Sequence, residues 1–253
     1  MHHLTVALIV FACVFCSALL GLYLRTLLPE HHLGEDSIAV VKLAAGLIAT
    51  IAALVLGLLI SSAKSTFDTV NAEIKHEAAD VILLDRVLAQ YGPETQEIRG
   101  LLKQIVATGL QQVASADPAQ LAKMHSLEAL KRGEYLESKL EELSPKNDLQ
   151  RRLQARAIEI AANAVAVREL GLLQAVGSTP TALLVILVLW LCIIFGAFGM
   201  FTPPNATVTI ALLLGALSTS GAVFLILEMN TPLEGLITVS LLPMREALAI
   251  LGQ

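Results

Sequence analysis

The chain has 253 residues, of which 55% are hydrophobic, 15% charged and 4% aromatic, and its formal net charge is −5. Apart from Arg25, Glu30, Glu35, Asp36, Lys42, Glu228, Glu234, Arg245 and Glu246, every charged residue lies between Lys64 and Glu169. Two nearly uncharged ends around a charged middle exclude intrinsic disorder, a disulfide scaffold and a soluble nucleic-acid binder.

A helix needs about 20 mainly apolar residues to cross a hydrocarbon core of about 30 Å. The first candidate, Leu4 to Leu24, is uncharged and ends at Arg25. Met1-His2-His3 ahead of it lacks Lys and Arg, and no A-x-A site follows, so the segment reads as a span rather than a cleaved leader. The second span, Ile38 to Ile60, carries only Lys42. Beyond it, Ser65 to Tyr91 has neither Pro nor Gly, and Phe67, Val70, Ile74, Val81, Leu84, Leu88 and Tyr91 form an a/d seam broken at Glu77. One helix from about Ile38 to about Tyr91 is therefore expected, reaching some 50 Å past the membrane at 1.5 Å per residue.

Gly92-Pro93 ends that helix and starts another, from about Glu94 to Ser115. Asp117-Pro118 is an N-cap with Pro at the first helical position, opening a stretch that ends near Ser144-Pro145. A last, alanine-rich helix runs from Asp148 to about Val176 and leads through Gly177-Ser178-Thr179-Pro180 into the third span, Ala182 to Phe201. Pro203-Pro204-Asn205 turns the chain into the fourth, Thr207 to Leu227. No segment alternates with period two, so no sheet is expected.

The expected fold is all-α: four transmembrane helices in two hairpins, with a cytoplasmic helical bundle inserted between spans two and three. The divisions are 1–63, 64–180, 181–228 and a C-terminal interfacial segment, 229–253, which holds a short amphipathic helix from Met244 to Ile250. Four spans put both termini on one side. Lys64, Lys75, Arg168 and Arg245 lie there, against Arg25 and Lys42 opposite, so that side is expected to be cytoplasmic and the protein multi-pass in the cell (inner or plasma) membrane.

Catalytic and nucleotide-binding motifs are absent, so neither an enzyme nor a cofactor is expected. Cys13, Cys16 and Cys192 sit inside spans without metal or redox spacing. His31-His32 with Glu35 and Asp36 reads as a solvated loop more readily than a cation site, and His76 and His125 as lone surface residues. Glu228, Asn230 and Glu234 offer oxygen atoms that suit Ca²⁺ but are too few to define a site, and no metal site is expected.

The second span is the most informative. Lys42, Gly46, Thr50, Ala53, Gly57, Ser61 and Lys64 recur at a mean spacing near 3.6 and share one helical face, which Asp68 and Asn71 continue. All are small, polar or charged. Leucine-rich positions, Val40, Leu43, Leu47, Ile51, Leu54 and Leu58, lie away from them. A polar face within a bilayer needs a neighbour other than lipid. Close helix packing is one reading, with Ala45, Ala49, Ala53, Gly57 and Ser61 as a small-residue ladder and Lys42 and Lys64 snorkelling to the interfaces. The other is a pore wall built from several copies of the helix. Lys42 and Lys64 then form cationic rings that draw inorganic anions, and Leu47, Ile51 or Leu54 supplies a hydrophobic gate. Glu228, at the end of an apolar run, needs a partner, for which Lys64 and Arg245 are candidates.

Two stretches carry a resemblance. One is Gly57-Leu58-Leu59-Ile60-Ser61-Ser62-Ala63-Lys64-Ser65-Thr66-Phe67-Asp68, continued by Leu84-Asp85-Arg86 and Tyr91-Gly92-Pro93-Glu94. The other is Leu227-Glu228-Met229-Asn230-Thr231-Pro232 with Gly235, Ser240 and Pro243. Together they resemble a largely bacterial family labelled bestrophin-like, whose members are integral membrane proteins with four predicted spans and a central helical region. The label implies remote similarity to bestrophins, pentameric anion channels whose second transmembrane helix lines the pore. Bestrophin pores narrow at an aromatic-rich neck, whereas the second span here has no aromatic residue before Phe67. The acidic Ca²⁺ clasp of the animal channels has no residue-by-residue counterpart in this chain. The expectation is a homo-oligomeric anion channel in the lipid bilayer. The alternative is a non-conducting sensor whose helical bundle binds a partner.

Overall fold

The computed structural model describes residues 2–29, 35–114, 127–174, 181–233 and 235–252. Among them every regular element is a helix. In order these are α1 (His2–Leu27), α2 (Glu35–Tyr91), a 3₁₀ turn (Pro93–Thr95), α3 (Gln96–Ala114), α4 (Leu127–Glu141), α5 (Asp148–Gln174), α6 (Thr181–Phe201), α7 (Ala206–Met229) and α8 (Leu242–Ile250). The all-helical expectation holds. Four helices, α1, α2, α6 and α7, are long and apolar enough to cross a membrane. The His31-His32 pair, the Asp117-Pro118 cap, His125, Gly177 to Pro180 and Glu234 lie outside the described residues.

Local chemistry sets the helix ends. α2 runs unbroken for 57 residues because nothing in it removes a backbone donor, and it stops at Gly92-Pro93. Thr95, fully buried, returns its hydroxyl to Leu88 O (2.6 Å) and Gly92 O (2.8 Å), adding to the backbone bonds those carbonyls accept from Gly92 N (3.4 Å) and Thr95 N (3.2 Å). Asn205 caps α7 by accepting from Val208 N at 2.8 Å.

The chain divides into two compact units. The first comprises Met1–Phe67, Thr179–Thr231 and Gly235–Ile237, and so holds α1, the first part of α2, α6 and α7. In it α1 and α6 run parallel. Ser17 Oγ donates to Cys192 O (2.6 Å), and one turn on, a Cβ at Gly21 would overlap Gly196 O, while one at Gly199 would overlap Ala18 O. Only glycine permits so close a crossing. Among apolar spans it matters, because lipid tails are as apolar as leucine and association rests on close packing rather than on the hydrophobic effect. α7 runs antiparallel to α1, with Ser220 Oγ on Ala7 O (2.7 Å), and the Phe195 ring of α6 packs over Gly215 of α7. α2 joins this core through Ala52, Leu59 and Ala63.

The second unit comprises Asp68–Ser178, Pro232–Glu234 and Thr238–Gln253. Its core gathers Leu84 and Leu88 from α2, Ile98 and Leu102 from α3, Leu140 from α4, Ile160 from α5 and Leu251 after α8. Leu88, Leu140 and Leu251 are almost wholly buried, each contributing about 1.5–3 kcal/mol if the unit is bathed in water. The seam read from the sequence is thus buried at Leu84, Leu88 and Tyr91, and half-buried at Phe67, Val70, Ile74 and Val81.

A bidentate ion pair crosses that core. Arg99 donates from Nε to Asp85 Oδ1 (2.7 Å) and from Nη2 to Oδ2 (2.9 Å), and Gly252 N donates to Oδ2 (3.3 Å). Burial pushes the Asp85 carboxyl up, but Arg99, the Gly252 amide and the charge of Lys103 together hold it below its ordinary value. Lys103 also donates to Leu251 O (3.1 Å), so the residues after α8 are bound to α2 and α3 by polar as well as apolar contacts.

Candidate functional site

Three faces of α2 are distinguishable within the first unit. Ala45, Ala52, Leu59 and Ala63 are buried, spaced by seven, seven and four, so they form one stripe, and the last three belong to the apolar core of this unit. Lys42, Gly46, Thr50, Ala53, Gly57, Ser61 and Lys64 are all exposed. So are Leu47, Ile51 and Leu54, at 65%, 42% and 76%, together with Val40, Leu43 and Leu58. A Cβ at Gly46 or Gly57 would meet nothing within 4 Å. Thr50 returns its hydroxyl to Gly46 O (2.9 Å).

The small-residue ladder read from the sequence is covered only in part by its own chain. Of the ladder Ala45, Ala49, Ala53, Gly57 and Ser61, Ala45 is buried and Ala49 half-buried, while Ala53, Gly57 and Ser61 are exposed. The packing stripe is rotated off the ladder and includes a leucine. The glycines that bring helices together sit instead on α1 and α6.

At the opposite end of this unit Glu228 closes α7, with 3% of its surface exposed. Its Oε2 accepts from the backbone of Leu236 (2.6 Å) and Ile237 (3.2 Å), and its Oε1 lies 3.1 Å from His3 Nδ1 on α1. Gly235 makes the fold-back possible: its φ is +99°, and a Cβ there would overlap the carboxylate. Arg245 belongs to the other unit. Nothing local in the sequence signals His3 or the two amides as partners, because the pairing joins residues 225 apart. Leu236 N, Ile237 N and His3 Nδ1 thus surround the two carboxylate oxygens, and Asn230 Nδ2 donates to Ile226 O (2.9 Å).

Elsewhere the second unit has a shallow groove of about 330 Å³ between α3 and α4, walled in part by Ile98, Leu101, Tyr135 and Lys139. The Lys139 ammonium is held by Glu142 at 2.7 Å. The cysteines are free thiols. No cluster of three or more metal-ligating side chains occurs among the described residues.

An all-helical chain with four membrane-length apolar helices and a second, charged helical unit is a membrane protein. Residues 10–244 match the bestrophin-like domain, nearly the whole chain, and the protein belongs to that family. No curated protein and no solved structure matches it.

Proposed function

We propose that the protein is a homo-oligomeric anion channel, with the first half of α2 lining the pore. One observation carries this reading: the small and polar stripe from Lys42 to Ser61 is exposed. α2 is also the least covered of the four apolar helices, with 17% of its most apolar window buried against 28% in each of the others. A small and polar face along a span is poorly matched to lipid, and copies of the same helix around a water-filled axis would cover it. Gly46 and Gly57 would keep that axis wide. Lys42 and Lys64 would place cationic rings at its two mouths, and Leu47, Ile51 and Leu54 would narrow it if the helix turned.

Family membership supports the reading, since the family's name points to anion channels. The helix directions within the first unit support four crossings. α1 and α6 run one way and α7 the other, and α2 begins beside the end of α6. With four crossings, the charge asymmetry favours a cytoplasmic side for both termini and residues 68–178.

The test is flux. Purified protein in liposomes is expected to pass chloride down its gradient, severalfold more slowly as Lys42→Glu or Lys64→Glu. No flux under any ion gradient from a folded oligomer would overturn the proposal.

A further inference from the structure

Where α2 begins and α6 ends, the two helices leave a groove of about 140 Å³ between them, lined by Lys42, Ala45, Ala197, Phe198, Phe201 and Thr202. Its polarity is layered. α2 runs inward from Lys42 to Ala45, and α6 runs outward from Ala197 to Thr202. Lys42 and Thr202 therefore sit at the rim, and Ala45, Ala197 and Phe198 lie deeper. Among the described residues no carboxylate lines it. Lys42 follows Glu35 and Asp36 of the first turn of α2 and is its last charged residue before Lys64.

The two helix ends differ in what they offer a ligand. Lys42 puts a full positive charge on the α2 wall, which favours a phosphate. The end of α6 carries the negative end of its dipole. The Thr202 hydroxyl proton is committed to Phe198 O at 2.7 Å, leaving its oxygen as an acceptor. That wall favours a hydrogen-bond donor. Phosphate and donor at the rim, with an apolar chain running inward, is the layering of a membrane lipid.

We infer that this groove is a binding site for an anionic glycerophospholipid whose headgroup carries hydroxyls, the phosphate on Lys42, a headgroup hydroxyl on Thr202, and an acyl chain along Ala45, Ala197 and Phe198. Lys42 is shared with the channel reading, in which a bound phosphate would offset the charge of its ring; adducts are read without measuring flux, so the failure of the site and that of the channel proposal are distinguishable.

Native mass spectrometry of the full chain in detergent tests it, with phosphatidylglycerol and phosphatidylcholine titrated as probes. Phosphatidylcholine has the phosphate and the chains but a compensating cation and no donor. Phosphatidylglycerol adducts are expected at about fivefold lower concentration, corresponding to ~1 kcal/mol for one basic contact to an anionic headgroup. Lys42→Gln should remove that preference, whereas Lys64→Gln should keep it. Ala197→Leu, which narrows the apolar part, should weaken both lipids. Equal binding of the two lipids, or a preference that survives Lys42→Gln, would overturn the site. So would displacement of phosphatidylglycerol by equimolar inorganic phosphate, which would mark a free-anion site instead.

Discussion

Replacing Gly57 and Gly199 by leucine, separately, separates a lumen face from a packing face. At Gly199 the new Cβ collides with the backbone of α1, at Ala18 O and within 2.9 Å of Leu22 N. A side chain can yield to such a collision but a neighbouring helix backbone cannot, so α1 and α6 must part. Overpacked cores lose ~1–3 kcal/mol when the surroundings can adjust. Here the upper figure applies, and for a chain of this size about 3 kcal/mol lowers Tm by about 6–12 °C. At Gly57 no atom lies within 4 Å of the new Cβ. Leucine there gains ~0.8 kcal/mol of helix propensity and otherwise acts as a surface substitution, within about 0.5 kcal/mol. Its Tm should hold or rise slightly, while chloride efflux from liposomes falls severalfold as a ring of leucines narrows the axis. Thermal transitions in detergent and efflux on the same preparations decide the matter. If Gly57→Leu melts as early as Gly199→Leu, the stripe is a packing face and the reasoning fails. If it melts normally and conducts like the parent, the stripe does not line the path.

Arg99→Ala strands the buried Asp85 carboxylate and should cost the second unit about 3–5 kcal/mol by denaturant titration. The parent's lowered Asp85 contributes fully above its unfolded pKa of ~3.9, and that contribution is lost as pH falls through the lower folded value. Without Arg99, burial is opposed only by the Gly252 amide and the charge of Lys103, so the folded pKa should rise and the variant should lose less stability than the parent as pH falls; a pH series of melts checks the difference. Gly235→Ala places a Cβ against Glu228 at a φ costing ~1–2 kcal/mol for other residues. Hydrogen exchange at Leu236 and Ile237 should accelerate about tenfold. Ser220→Ala removes the hydroxyl on Ala7 O. Because such bonds between apolar spans average ~0.6 kcal/mol, Tm should fall by only about 1–2 °C.

Helix positions were legible because their signals are local. Long uncharged runs, the Pro- and Gly-free stretch to Tyr91, Gly92-Pro93, and Pro203-Pro204-Asn205 each act within a few residues. The polar stripe on α2 was legible for the same reason, since helical spacing alone places its members on one face. Which apolar face of α2 packs was not. In a span, positions against protein and against lipid are equally apolar, so Ala52 and Leu59 look no different from Leu54 and Leu58. The α1–α6 crossing leaves a trace in Ser17-x-x-x-Gly21 and Gly196-x-x-Gly199, yet small residues at that spacing also occur on the uncovered side of α2. Glu228 announced a need for a partner through its place at the end of an apolar run. That the partners are His3 and two amides beyond Gly235 depends on α1 lying against α7, which no local pattern encodes.

The crossing of α1 with α6 also sets an order of events during synthesis. Ser17 and its acceptor Cys192 are separated by 175 residues, which a ribosome adding about 5–20 residues per second covers in about 10–35 s. For that interval the first span carries its glycine face without the helix made to fit it. A chain interrupted between α2 and α6 would leave that face permanently open, a surface that another glycine-bearing helix in the same membrane could occupy.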